Sequence, residues 1–122
     1  KLGRVLIVDA SKNMDWKNAV KYFCLQSFTG EPLQGPLKLT ISFGMPRPQN
    51  HYGTGKRKGI LKDNAPFYHT VRPDRTKLMR STEDALTGIL WADDAQIVKG
   101  DTEKIYSTNP GAWIMVEPID EG

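Results

Sequence analysis

The sequence has one cysteine, two histidines and no long apolar run, and each scarcity removes a class of protein. Cys24 alone can form neither an internal disulfide nor a cysteine-based zinc site. It falls in an apolar helical pattern and reads as a core thiol, which makes a reducing compartment the natural home. His51 and His69 lie stranded in a loop, where histidines are usually surface residues, and neither is given a role. A Cys/His or Ser/His/Asp nucleophile, or a soft-metal centre, therefore lacks its parts. No stretch approaches the ~18 apolar residues of a membrane span, and the first residues do not resemble a secretion signal. Repeats and low-complexity segments are absent as well. The chain opens on Lys1 rather than Met, which leaves room for a preceding strand.

What is present is ordinary in amount and uneven in placement. The 122 residues are 39% hydrophobic and 25% charged, which suits one folded domain over 1–122 with a modest core. From Arg47 to Arg80, nine Lys and Arg stand against Asp63 and Asp74, a net +7 in a chain whose total is +3. The remainder is net negative. Basic charge set beside carboxylates fits a polyanionic partner and metal chemistry. A solvated loop next to an acidic surface explains the charge alone equally well.

Periodicity gives an α+β order. Arg4–Val8 reads as a strand. Ser11 is the expected N-cap of a helix whose inner face carries Trp16, Ala19, Val20, Phe23 and Ser27. Gly30, Pro32, Gly35 and Pro36 turn the chain. Leu37, Leu39, Ile41 and Phe43 alternate with Lys38, Thr40 and Ser42, the clearest strand in the sequence. Residues 46–73 have no sustained period and form a long basic loop, the kind that is functional or mobile in a small domain. A helix is expected from Arg75 to Thr87, with Leu78, Thr82, Ala85, Leu86 and Ile89 inward and Gly88 as its stop. Ala95–Val98, Lys104–Ser107 and, after the Asn109-Pro110-Gly111 turn, Ala112–Val116 read as strands. The expected fold is a small mixed sheet with both helices on one face.

The candidate chemistry lies at the entry to the second helix, along that helix and at the start of the strand that follows it. Asp74 precedes that helix, where an N-cap is the plain explanation. Asp93 and Asp94 precede a strand, where turn-forming is the plain explanation, and strand alternation lets one of them at most face Asp74. On the helix, Thr76, Arg80 and Glu83 form one stripe, and Lys77, Arg80 and Asp84 an overlapping one. An exposed Arg80–Asp84 ion pair is the modest reading of the second stripe. A phosphate seated on the Arg80 fork is the functional one. Phosphodiester hydrolysis loads negative charge onto an anion, and a hard divalent ion held by a few carboxylates offsets it.

The run from Arg72-Pro73-Asp74 through Asp84-Ala85-Leu86-Thr87, then Trp91 and Asp93-Asp94-Ala95-Gln96-Ile97-Val98, resembles the RusA endodeoxyribonucleases. That family shows an acid-bearing segment leading into a helix, then Asp-Ala-Leu-Thr, an aromatic and Asp-Asp-Ala-Gln-Val-Val. The Tyr52-Gly53-Thr54-Gly55 loop is similar to a subgroup found in phages of Gram-positive bacteria. The resemblance implies a homodimeric junction resolvase that uses Mg²⁺, with Mn²⁺ as a substitute, in DNA recombination and repair. It also implies a RusA-like fold and the cytoplasm of a bacterial or phage-infected cell. Its partner would be branched DNA, a four-way (Holliday) junction, with no membrane. By that resemblance Asp74 and Asp94 match catalytic, metal-binding acids, and Asp93 and Asp84 match further acids of the family. Arg80 stands where the family has a catalytic Lys, and Thr76 where it has a second metal-binding Asp. Glu83, Asp93 or Asp84 is expected to supply the missing carboxylate. Arg47, Lys56, Arg57, Lys58, Lys62, Arg72 and Lys77 are expected to grip DNA backbone.

Symmetry adds an argument for the dimer. A four-way junction is cut in two opposed strands, and one chain holds acids for about one site. Two other readings stay open: a junction-binding homologue that is weakened or inactive because of Thr76, and an interaction domain with no nucleic-acid role.

Overall fold

Alternation in the strands and a 3.6-residue period in the helices put the apolar residues on facing surfaces, and the chain closes around them. The structure, a computed structural model, describes residues 3–11 and 14–121. The elements run β1 (Arg4–Asp9), α1 (Trp16–Ser27), β2 (Leu37–Met45), α2 (Arg75–Leu86), β3 (Ile97–Lys99), β4 (Thr102–Tyr106) and β5 (Gly111–Pro118). Short 3₁₀ turns occupy Gln49–His51, Gly55–Arg57 and Asp94–Gln96. Among the described residues no helix is long and apolar enough to cross a membrane.

The sheet is mixed, as its sequence pattern predicts. β5 lies between β1 and β2 and is antiparallel to both, while β3 and β4 run parallel to β2. A parallel neighbour needs a crossover, which the long loop and α2 supply. β3 and β4 share one edge of β2, Ile97 opposite Leu37 and Thr102 opposite Ile41. Between them Gly100, at φ +149°, passes so close to β2 that a Cβ there would collide with the Leu39 carbonyl.

Both helices cover one face. Leu6, Val8, Leu37, Leu39, Ile41, Phe43, Ile114 and Val116 point into a core closed by Ala19, Val20 and Cys24 of α1 and Ala85 and Leu86 of α2. Burial pushes the Cys24 thiol up to about 11, which keeps it an inert core group. The opposite face, with Val5, Ile7 and Trp113, is open.

Four expectations need correction. Asp15, not Ser11, caps α1: its carboxylate accepts the Asn18 amide at 3.3 Å, and Ser11 instead hydrogen-bonds Asp9 in a turn. Ser27 is exposed rather than on the inner face of α1. The strand expected at Ala95 starts at Ile97, because Asp94–Gln96 is a 3₁₀ turn held by its own capping box. His69 is not a surface residue but 7% exposed, packed edge-on against Tyr106.

The loop between β2 and α2 is built rather than loose. The guanidinium of Arg47 donates to the Pro66 carbonyl at 2.7 Å, lies 3.2 Å from Nδ1 of His51 and rests over the Tyr106 ring. Tyr52 bridges to Leu61 and Gly53 to Lys58, folding the tip back on itself.

Candidate active site and nucleic-acid face

α2 is the spine of the site, and its anchorage starts with Thr82. Thr82 is fully buried, accepts a hydrogen bond from the Trp16 indole at 2.8 Å and donates to the Leu78 carbonyl at 2.7 Å. With Leu78, Ala85 and Leu86 turned inward, helical spacing leaves Thr76, Arg80 and Glu83 on an outer stripe. Its Glu83 end borders β3 and β4. Met79, Glu83, Lys99, Gly100 and Thr102 line a cleft of about 230 Å³ between the helix and the strands.

Glu83 is half-buried at the wall of this cleft. Its carboxyl is held above the ordinary glutamate range, first by burial, then by the charges of Asp94 and Asp84. The structure thus sets Asp94 within the field of Glu83, a like-charge arrangement that a cation relieves. Asp94 is exposed at the first position of its 3₁₀ turn. Two carboxylates, with water and phosphate completing the shell, suit a hard divalent ion.

The other acids have structural duties. Asp93 accepts the Ala95 amide at 2.9 Å and caps the turn that presents Asp94. Gln96 completes this capping box: its Oε1 accepts the amides of Ala92 and Asp93, and its Nε2 donates to the carbonyls of Leu33 and Gly35. Asp84 faces α1 and pairs with Lys17 at 3.6 Å, so the Arg80–Asp84 pair does not form. Arg80 is exposed and makes no ion pair among the described residues.

Asp74 occupies the opposite end of the helix. It is the N-cap residue by backbone, yet its side chain makes no capping hydrogen bond. Instead it lines an open hollow of about 450 Å³ with Arg72, Pro73 and Lys77. Lys104 fixes the approach by donating to the carbonyls of Val71 and Pro73 at 2.8 and 2.7 Å, and Arg75 donates to the Thr102 carbonyl. Nine residues of helix, roughly 13 Å at ~1.5 Å each, separate Asp74 from Glu83. Among the described residues no three His, Cys, Asp or Glu gather closely enough to hold a metal. The acids therefore form two stations along α2, a Glu83–Asp94 pair and a lone Asp74, with Thr76 and Arg80 on the helix between them.

The expected cations divide in two. Lys56, Arg57, Lys58 and Lys62 are exposed on the loop, and Arg72 and Lys77 at the Asp74 hollow. Arg47 is half-buried and engaged in holding the loop. Sequence reasoning missed Lys104, whose role depends on which carbonyls the fold brings to it, and Lys99 in the cleft. Spacing placed Arg80 and Glu83 on one stripe, but nothing in the linear pattern paired Glu83 with Asp94.

Comparison with known proteins adds an independent line. The profile of the family described as Endodeoxyribonuclease RusA matches residues 1–117. The chain is also 25% identical over 117 residues to "Uncharacterized protein YqaN" of Bacillus subtilis (strain 168), covering 96% of this chain and 82% of that protein.

Proposed function

The chain belongs to the endodeoxyribonuclease RusA family, and we propose that it resolves four-way DNA junctions by metal-dependent hydrolysis as a homodimer. The observation that carries the reading is Glu83, half-buried at the wall of a cleft and held above the ordinary glutamate range first by burial and then by the charges of Asp94 and Asp84. Glu83, two turns along the same stripe, supplies the carboxylate that Thr76 lacks.

In this reading Glu83 and Asp94 would hold Mg²⁺, or Mn²⁺ in its place. The ion supplies neutralisation of the charge that builds on the phosphodiester. Arg80, one turn before Glu83, sets its fork against the scissile phosphate and offsets the same charge. Arg72 and Lys77 receive the adjoining stretch of backbone, and Asp74 between them serves as the second acidic station. Lys56, Arg57, Lys58 and Lys62 hold backbone further out without reading bases. Two copies related by a two-fold axis present two such sites to the opposed strands of a junction. The expected setting is DNA recombination and repair in a bacterial or phage-infected cell.

The test is incubation of a synthetic four-way junction with the protein in Mg²⁺, in Mn²⁺ and in chelator. Paired nicks that need the divalent ion support the reading. A second reading, a binder without catalysis, is favoured by the uncharged Thr76 and by the separation of Asp74 from the other acids. It predicts junction retention with no nicking in either metal.

A further inference from the structure

We propose that the Phe67–Tyr68 ring pair is a stacking platform for unpaired DNA bases, set along β4 from the Asp74 hollow. This rests on the DNA-cutting reading above and extends it from phosphate contacts to base contacts.

The two rings meet edge to face, with centroids 4.9 Å apart and planes at 89°, and they are 57% and 59% exposed. They are not on a floppy tip. The Phe67 carbonyl accepts the Tyr106 amide, the His69 amide donates to the Lys104 carbonyl, and Tyr68 sits opposite Ile105. Residues 67–69 thus add a short strand to the free edge of β4, and Arg47 holds Pro66 just before it. A backbone fixed at this many points fixes where the rings stand, and it stands them in water. Two adjacent rings held exposed on a rigid segment form a recognition surface in a way that scattered surface apolars do not.

Charge selects the partner. Between Arg47 and Arg72 the sequence has Lys56, Arg57, Lys58 and Lys62 against the single acid Asp63. Aromatic faces bordered by cations suit nucleotides, whose bases stack while their phosphates pair. Duplex bases already have their faces covered, so the platform discriminates in favour of single strands and of bases whose stacking is broken, as at an opened branch point. Position fits as well. Phe67 is tied to Tyr106 at one end of β4, and Arg75, next to Asp74, is tied to Thr102 at the other. Four strand residues at ~3.3 Å span roughly 13 Å, about four stacked nucleotides at ~3.4 Å each. One DNA strand can therefore lie with backbone at the Asp74 hollow and bases on the rings.

The experiment compares affinity for oligothymidylate, for a blunt duplex of the same length and for a four-way junction with 2-aminopurine at the branch. The double variant Phe67→Leu/Tyr68→Leu keeps apolar bulk and removes both π faces. It should lose roughly 5- to 100-fold in oligothymidylate affinity and the 2-aminopurine quenching, with duplex affinity changed less than about twofold. Phe67→Tyr and Tyr68→Phe, each retaining a ring, should bind like the wild type. Lys56→Ala should weaken all three substrates alike. Equal losses on single strand and duplex, or no loss on either, overturn the platform while leaving the nuclease reading in place. Failure of the wild-type protein to bind any of the three at low salt overturns both.

Discussion

One buried hydroxyl of the site helix ties it to α1 by a side-chain hydrogen bond. Thr82 receives the Trp16 indole N–H across the α1–α2 contact, so Thr82→Val keeps the shape and leaves a half-buried donor without this acceptor. The expected cost is about 1–3 kcal/mol, read as a lower denaturant midpoint at unchanged slope. Glu83 is the converse case, a residue whose charge opposes folding. Its carboxyl is raised in the native state by burial and by Asp94 and Asp84, so the native state holds the proton more tightly than the unfolded chain. The favourable contribution is present below the unfolded glutamate value and lost as pH rises through the raised one. In metal-free buffer at neutral pH, Glu83→Gln should therefore melt higher than the wild type, and the gain should vanish in acid. Mg²⁺ should raise the wild-type melting temperature and leave that of Glu83→Gln nearly unmoved. At this scale the sequence was informative about the stripe, since helical spacing alone aligns Thr76, Arg80 and Glu83. Which acid approaches Glu83 was not legible, because Asp94 reaches it through tertiary packing.

Between elements, the turn at Asp94–Gln96 decides where the second acid of the pair sits. Gln96→Ala removes hydrogen bonds to both Leu33 and Gly35 and opens the capping box around Asp93. It should slow cleavage by about 10-fold or more through misplacement of Asp94, while Ala95→Ser, which keeps the amide that Asp93 accepts, should not. The long loop carries a pH dependence of its own. His69 is buried beside Tyr106 and near Lys104, and its imidazole is held below the ordinary value of 6.5 by burial and then by Lys104. The unfolded chain takes up that proton more readily, so stability is present above that value and lost as pH falls through the lowered one. His69→Leu should flatten the fall in melting temperature as pH drops below the ordinary histidine value of 6.5. The alternation of Leu37, Leu39, Ile41 and Phe43 made β2 readable directly, and the periodic faces of both helices likewise. β3 was read two residues early, from Ala95, because a three-residue strand is too short to show where the 3₁₀ turn before it ends. The loop was aperiodic in sequence because its order comes from Arg47, His51, His69 and Tyr106 meeting across long separations.

Across the whole molecule, charge and chemistry are segregated. The loop and the start of α2 gather the cations, while the cleft between α2 and the β3–β4 edge holds Glu83, with the charge of Asp94 acting on it. Lys56→Ala and Arg57→Ala should each reduce the salt slope of junction binding by about one, with cleavage of bound junction unchanged. The most direct measurement of the central claim is single-turnover junction cleavage by Asp94→Asn and Glu83→Gln beside the wild type, at protein concentrations that saturate binding. Both variants should lose at least about 100-fold in rate while still retaining the junction, since a lost ligand disables metal chemistry and also relieves repulsion with phosphate. Cutting by either variant at the wild-type rate would contradict the account.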